Sequence, residues 1–231
     1  MKRVLLKLSG EALAGEKKTG FDEATVIEVS KQIRTIVEDG MQVGIVIGGG
    51  NYWRGRTSET INRNKADQIG MLATIMNCIY VSDICRYLGL KTEIFTPFVC
   101  GAFTKLYSKD DVEAAFADGK VVFFAGGTGH PYFSTDTATV LRAVEIEAEA
   151  ILLAKAVDGI YDSDPKTNPN AVKFDEITID EVVSRKLAAM DLTASIMCME
   201  QKMPMLVFAL EEKDSIVNAV NGKFNGTKVT V

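Results

Sequence analysis

Histidine is nearly missing from this chain: His130 is the only one in 231 residues. A single histidine cannot complete the common zinc ligand sets, and Cys78, Cys85, Cys100 and Cys198 contain no C-x-x-C pair, so neither a zinc site nor a dithiol redox centre is expected. The four thiols read instead as reduced and mostly buried. Positive charge is also in short supply. The 26 Lys and Arg stand against 31 Asp and Glu, a net charge of −5, which excludes a general nucleic-acid binder because such binding requires a basic surface. The opening MKRVLLKLSG has too short an apolar run for a signal peptide, and no stretch approaches the ~20 apolar residues of a membrane span. A cytoplasmic protein without membrane partners is expected. With only 5 prolines and no low-complexity tract, no linker is visible, and residues 1–231 are expected to form a single domain.

Apolar runs alternate with helical periodicity from one end to the other. Strands are predicted at Arg3–Leu8, Gln42–Ile47, Thr92–Phe95, Lys120–Ala125, Ala150–Ala154, Met205–Ala209 and Lys228–Val231. Several are apolar throughout, as strands covered on both faces tend to be. Helices are predicted at 23–39, 64–88, 109–118, 136–148, 179–188, 192–202 and 213–221. The alternation implies an α/β fold, a three-layer αβα sandwich around a largely parallel sheet. Residues 96–106 read as a loop, and residues 158–176, rich in Asp, Asn and Pro, as an irregular excursion with room for a short hairpin.

Four predicted strand ends run into glycine or hydroxyl residues: KLSGEAL (7–13), VIGGGNYWRG (46–55), FFAGGTGHPYFSTD (123–136) and AKAVDGIYDSDP (154–165). Loops without side chains expose backbone N–H groups, and a following helix adds partial positive charge, so this rim suits phosphate. The usual phosphate signatures are nevertheless broken. Gly10 and Gly15 have Walker A spacing, but Glu16 replaces the lysine. A dinucleotide fingerprint fails because Tyr132 and Trp53 stand where third glycines belong.

The ordered motifs KLSGEAL, VIGGGNYWRG, ADQIGMLATIMN, GGTGHPYFSTD, VDGIYDSDP and MDLTA, spanning essentially the whole chain, resemble the amino acid kinase family. GMLATIMN and the GTGxPxFSTD pattern resemble its UMP-specific branch. The resemblance implies transfer of the ATP γ-phosphoryl group to UMP in pyrimidine nucleotide synthesis, a homohexamer, activation by GTP and inhibition by UTP. It also implies magnesium as the companion of ATP, held mainly by phosphate oxygens, with no dedicated protein metal cage.

Carried onto this sequence, the resemblance makes Lys7 the cation bridging the phosphates of both nucleotides, with Leu8, Ser9 and Gly10 beside the ATP phosphates. Gly49 and Gly50 would hold the acceptor and donor phosphates, and Arg54 would clamp them. Asp67 would receive the UMP ribose hydroxyls; it also reads as a first-turn Asp favoured by the helix dipole. Thr128, Gly129, His130, Pro131, Tyr132, Phe133, Ser134 and Thr135 would line the UMP pocket. Asp136 would stand near the phosphates, and Asp191 would be a conformation-holding carboxylate or simply a helix N-cap. Lys155, Tyr161 and Asp164 would face the adenosine, while Asp158 and Gly159 shape a turn. Two departures stand out: His130 replaces the asparagine of many relatives, and LLAKAVDG differs from the KATKVDG form around Lys155.

His130 is expected to donate to a phosphate or loop carbonyl, or to be a structural loop residue, rather than to act as a base. A UMP phosphate oxygen has no proton to remove at neutral pH. The competing readings are a family member acting on a carbamate, acylamino acid or isopentenyl phosphate, a noncatalytic nucleotide-binding storage or sensor protein, and a dinucleotide oxidoreductase. Lys7 with Arg54 argues against the sensor, which has no transferring charge to stabilise, and the broken fingerprints argue against the oxidoreductase. Arg86 and Tyr87, late in the long predicted helix, suit a subunit contact and a solvated helix end equally.

Overall fold

A computed structural model describes residues 1–54, 60–187 and 189–231; Gly55 of the second glycine loop and Ala188 at the predicted end of 179–188 lie outside them. Among the described residues nine strands form one sheet: β1 (Arg3–Leu8), β2 (Gln42–Ile47), β3 (Lys91–Thr96), β4 (Lys105–Leu106), β5 (Lys120–Phe124), β6 (Ala150–Lys155), β7 (Glu176–Thr178), β8 (Met205–Ala209) and β9 (Gly226–Thr230). Their order is β4-β3-β5-β2-β1-β6-β8-β9-β7, and all pairings are parallel except β8 with β9. The chain therefore winds outward from β1 through β2 to one edge, then returns to β6 on the other side of β1. This reversal places the topological switch point, where α/β sheets bind ligands, at the carboxyl end of β1.

Alternation along the strands sorts their side chains into two apolar layers. Val4, Leu6 and Leu8 of β1, with Ile45 and Ile47 of β2, meet α2 (Glu23–Glu38), α3 (Arg63–Tyr87) and α8 (Ser215–Val220). Leu5, Val46, Phe124 and Leu153 on the opposite face meet α4 (Lys109–Ala117), α5 (Thr135–Glu145), α6 (Ile179–Ser184) and α7 (Leu192–Glu200). This is the three-layer sandwich expected from the alternation. α3 is by length and composition apolar enough to cross a membrane, contrary to the sequence reading, but its Ile75, Cys78, Val81 and Cys85 pack into the core. Burial against the sheet accounts for that face of the helix, while Ile69, Leu72, Met76 and Ile79 on another face stay exposed.

Some elements went unforeseen. The 96–106 loop ends in β4, and the 158–176 excursion, closed by an isolated antiparallel bridge between Tyr161 and Lys173, leads into β7. A single helical turn, α1 (Gly10–Leu13), follows β1 directly. All four cysteines are free, and burial pushes the thiols of Cys78 and Cys198 up to about 12 and that of Cys85 to about 11, leaving them protonated and inert.

Candidate active site

Two cavities open along the carboxyl edge of the sheet. The larger, about 420 Å³, lies over the ends of β5, β2 and β1; the second, about 310 Å³, lies beyond β6. Both fall within the range of about 300–1,000 Å³ common for small-molecule sites.

Lys7 lines the larger cavity from β1, which lies between β2 and β6. It stands opposite Val46 on one neighbouring strand and Leu153 on the other, and it points to the α5 side because it continues the row of Leu5. Its ammonium lies 3.0 Å from the Asp136 carboxylate in the first turn of α5, and its side chain is only 13% exposed. Lys155, two residues beyond Leu153 on β6, shares that face and donates to the Ala189 carbonyl at 2.6 Å. Burial drives the Lys155 ammonium below its ordinary pKa; Asp136 opposes the shift and Lys7 adds to it. Two cations and one carboxylate thus meet where the cavities adjoin, in surroundings that would gain from an added anion.

The loops after β1 and β2 interlock beneath this cluster. Gly48 N–H donates to the Leu8 carbonyl, and the Asn51 and Asn77 amides bond to each other at 3.0 and 2.8 Å. Asn77 also donates to the Gly48 carbonyl at 2.7 Å. Both amides are buried, so this paired network fixes the triple-glycine loop rather than leaving polar groups stranded. Ser9 is the extended N-cap of α1 and shares the cavity wall with Gly10, Gly49 and Gly50. Arg54 reaches across to Glu11 at 2.5 Å, at the cavity rim.

The third wall comes from the loop after β5, where Gly126, Gly127 and Gly129 all adopt positive φ. Gly126 N–H donates to the Thr74 hydroxyl on α3, which docks this loop onto the helix. Ser134 caps α5 by accepting from the N–H groups of Asp136 and Thr137, and its hydroxyl also bonds to the Asp191 carboxylate. Asp191 in turn caps α7 through Ala194 N–H at 3.0 Å. One carboxylate therefore bonds to two helix starts, and Asp191 is the N-cap of α7.

The larger cavity gathers Lys7, Ser9, Gly10, Gly49, Gly50 and Arg54 from the first two loops. From the other side come Asp67, Thr128, His130, Phe133, Ser134 and Thr135, with Asp136 and Asp191 at its floor. Lys155, Tyr161 and Asp164 line the second cavity. Tyr161 spends its hydroxyl on Asp158 at 2.7 Å, while Asp158 also takes Lys173 at 2.9 Å, so Asp158 is the turn former expected. Asp164 accepts the Lys166 N–H at 2.9 Å and likewise shapes its own loop.

Several expectations need correction. Asp67 is not in the first turn, because α3 begins at Arg63 behind the Asn62 cap, so the helix-dipole account of Asp67 lapses. Leu8 lies wholly inside the α2/α3 layer and offers only backbone to the site. Gly129 spends its N–H on the Gly126 carbonyl, and neither it, Pro131 nor Tyr132 lines the cavity. His130 is exposed, and its backbone N–H donates to the Thr128 hydroxyl while its carbonyl accepts from it.

Sequence reasoning missed Trp53, Arg63, Met71 and Thr74, all of which line the larger cavity. Met71 and Thr74 fall inside the GMLATIMN motif, so a signal was present for them. Trp53 docks its indole N–H on the Ala66 carbonyl at 2.8 Å, a contact across thirteen residues that no local pattern announces.

The family model for the amino acid kinase family matches residues 2–209. Among solved structures, the chain is similar to UMP kinase from Ureaplasma parvum, with 35% identity and a TM-score of 0.95 over 100% of this chain and 99% of that one. It is similar also to UMP kinase from Bacillus anthracis, with 34% identity and a TM-score of 0.94 over 99% and 96% of the two chains. Uridylate kinase from Archaeoglobus fulgidus shares 25% identity and a TM-score of 0.76, with both chains covered completely.

Proposed function

We propose that this chain, which belongs to the amino acid kinase family, transfers the γ-phosphoryl group of ATP to UMP, giving UDP and ADP. The observation behind this reading is the placement of Lys7, with Asp136 and Lys155, between a cavity suited to the acceptor and one suited to the adenosine of the donor. Full-length likeness to proteins described as UMP kinases supports UMP as acceptor.

Phosphoryl transfer requires alignment and charge neutralisation more than covalent chemistry. The β1 and β2 loops present N–H groups to phosphate oxygens, Lys7 bridges the two nucleotides, and Arg54 leaves Glu11 to clamp the phosphates. Asp67 holds the acceptor ribose, and Tyr161 and Asp164 receive the donor nucleoside. Among the described residues no group of three His, Cys, Asp or Glu side chains could hold a metal, while Asp136 supplies a carboxylate at the phosphate end. That donor set fits magnesium delivered on ATP, which when bound neutralises phosphate charge. We place the enzyme in the cytoplasm, within pyrimidine nucleotide synthesis.

Self-association into a homohexamer fits the exposed apolar row Ile69, Leu72, Met76 and Ile79 along α3, residues three to four apart on one helical face. Activation by GTP and inhibition by UTP complete the proposal; Arg86, held to Thr92 at 2.6 Å, sits beside exposed Tyr87 at the end of the same helix.

A coupled ADP-release assay with ATP and magnesium, comparing UMP, CMP, dUMP and AMP, should show turnover selective for UMP. ATP binding without turnover of any acceptor would instead favour a sensor. In the same assay His130→Asn should keep kcat within about threefold of the parent chain, since the side chain has no proton to take. A loss of about 10³-fold, the scale of a lost transition-state contact, would make the imidazole essential.

A further inference from the structure

The described neighbours of Asp67 point to a group that the phosphate loops do not explain. Arg63, one turn earlier on α3, directs its Nε to both carboxylate oxygens of Asp67, at 2.9 and 2.8 Å. The second oxygen also accepts the backbone N–H of Tyr132 at 2.8 Å, from a loop 65 residues away in sequence. Tyr132 takes φ of 74°, an uncommon conformation for a side chain branched into a ring, and the Arg63 guanidinium lies 5.4 Å from the centre of that ring. Helix start, carboxylate and glycine loop thus close into one clasp on the rim of the larger cavity.

We propose that Arg63 is a positioning residue of the acceptor site, acting through Asp67 and Tyr132 to hold the ribose-binding carboxylate and the loop after β5 in their binding geometry. The inference rests on the UMP assignment above. A carboxylate offers about four lone-pair sites, and Arg63 with Tyr132 occupies one side of the group, leaving capacity for incoming hydroxyls. The Asp67 side chain is only 14% exposed, so an unbalanced negative charge there would repel the phosphate dianion entering the same cavity. Arg63 supplies that balance, and its planar guanidinium meets the carboxylate through Nε and also approaches the Tyr132 ring, which a compact lysine ammonium cannot do together.

The chain has one tryptophan, Trp53, on the wall of this cavity, so its emission reports acceptor binding separately from turnover. Arg63→Met should raise KM for UMP, and the Kd read from Trp53 emission, by about 10- to 100-fold, the effect of losing one charge-assisted hydrogen bond. KM for ATP and kcat should stay within about threefold, because Arg63 does not line the donor cavity and Lys7 is held separately, by Asp136. Arg63→Lys should recover part of the UMP affinity, retaining the charge but not the fork. An unchanged UMP KM and Kd in folded Arg63→Met would overturn the proposal, as would KM values for UMP and ATP rising together with a lowered Tm in both variants. If the parent chain bound UMP without turning it over, the kinase assignment would fail while the binding titration still judged the clasp. A parent that did not bind UMP would overturn both.

Discussion

Replacing Lys7 by alanine should lower kcat by about 10³-fold or more, the scale seen when a preorganised cation or donor is withdrawn from a transferring phosphoryl group. The side chain is nearly enclosed, fixed by an ion pair of 3.0 Å to Asp136, and central in the sheet between β2 and β6. A charge held in place before the substrate arrives needs no rearrangement at the moment of transfer. Lys155 cannot substitute for it, because burial already disfavours its ammonium and its Nζ is committed to the Ala189 carbonyl. The substitution leaves Asp136 without its described cation, which costs about 1–3 kcal/mol. In a chain of this length that shifts Tm by about 2–12 °C. Single-turnover kinetics alongside a melting curve separate the two effects. A folded variant turning over within tenfold of its parent would remove Lys7 from the chemistry.

Gly10→Ala should be the most damaging single methyl group in the phosphate loops. Its Cβ would stand 2.3 Å from the Gly48 carbonyl oxygen and 2.5 Å from Asn51 Oδ1. Neither atom can retreat, since Asn77 holds Gly48 and is itself locked to Asn51 in the buried amide pair. We expect a loss of about 3 kcal/mol or more, a fall in Tm of about 6–12 °C, and little residual nucleotide binding. Gly50→Ala is the informative partner. Its Cβ would meet Glu11 Oε1 at 2.5 Å, the far end of an exposed side chain that can swing aside at the cost only of its surface ion pair with Arg54, so the Tm should fall by less. Equal melting temperatures for the two variants would show that the amide pair does not fix this loop.

The structure explains which features could be read beforehand. β1, β2 and β8 are interior strands whose predominantly apolar, largely buried runs, broken in β1 by Lys7, are legible in the sequence. β4 and β7 are two- and three-residue edge strands that exist because β3 and β9 offer them a ladder, so their own sequence contains no such signal. The glycine loops were legible because backbone conformation and close approach demand particular residue types. Asp67 and Tyr132 were both singled out, but Arg63 and the contacts among the three were not, because they come together only after α3 and the β5 loop have packed. Long-range pairs such as Asn51 with Asn77 follow the same logic, having no periodicity to betray them.

The parity of β1 ties catalysis to folding. Leu5 and Lys7 share one face, Leu6 and Leu8 the other. Deleting one residue between Val4 and Lys7 would turn the ammonium into the α2/α3 layer and expel a leucine toward phosphate, losing core and catalyst in one event. Length changes within 166–171, beyond the residues that line the donor cavity, carry no such penalty, since this stretch joins no strand ladder and is largely exposed. A change of length is thus borne by the outer turn of the donor's rim, while the six residues of β1 must stay counted.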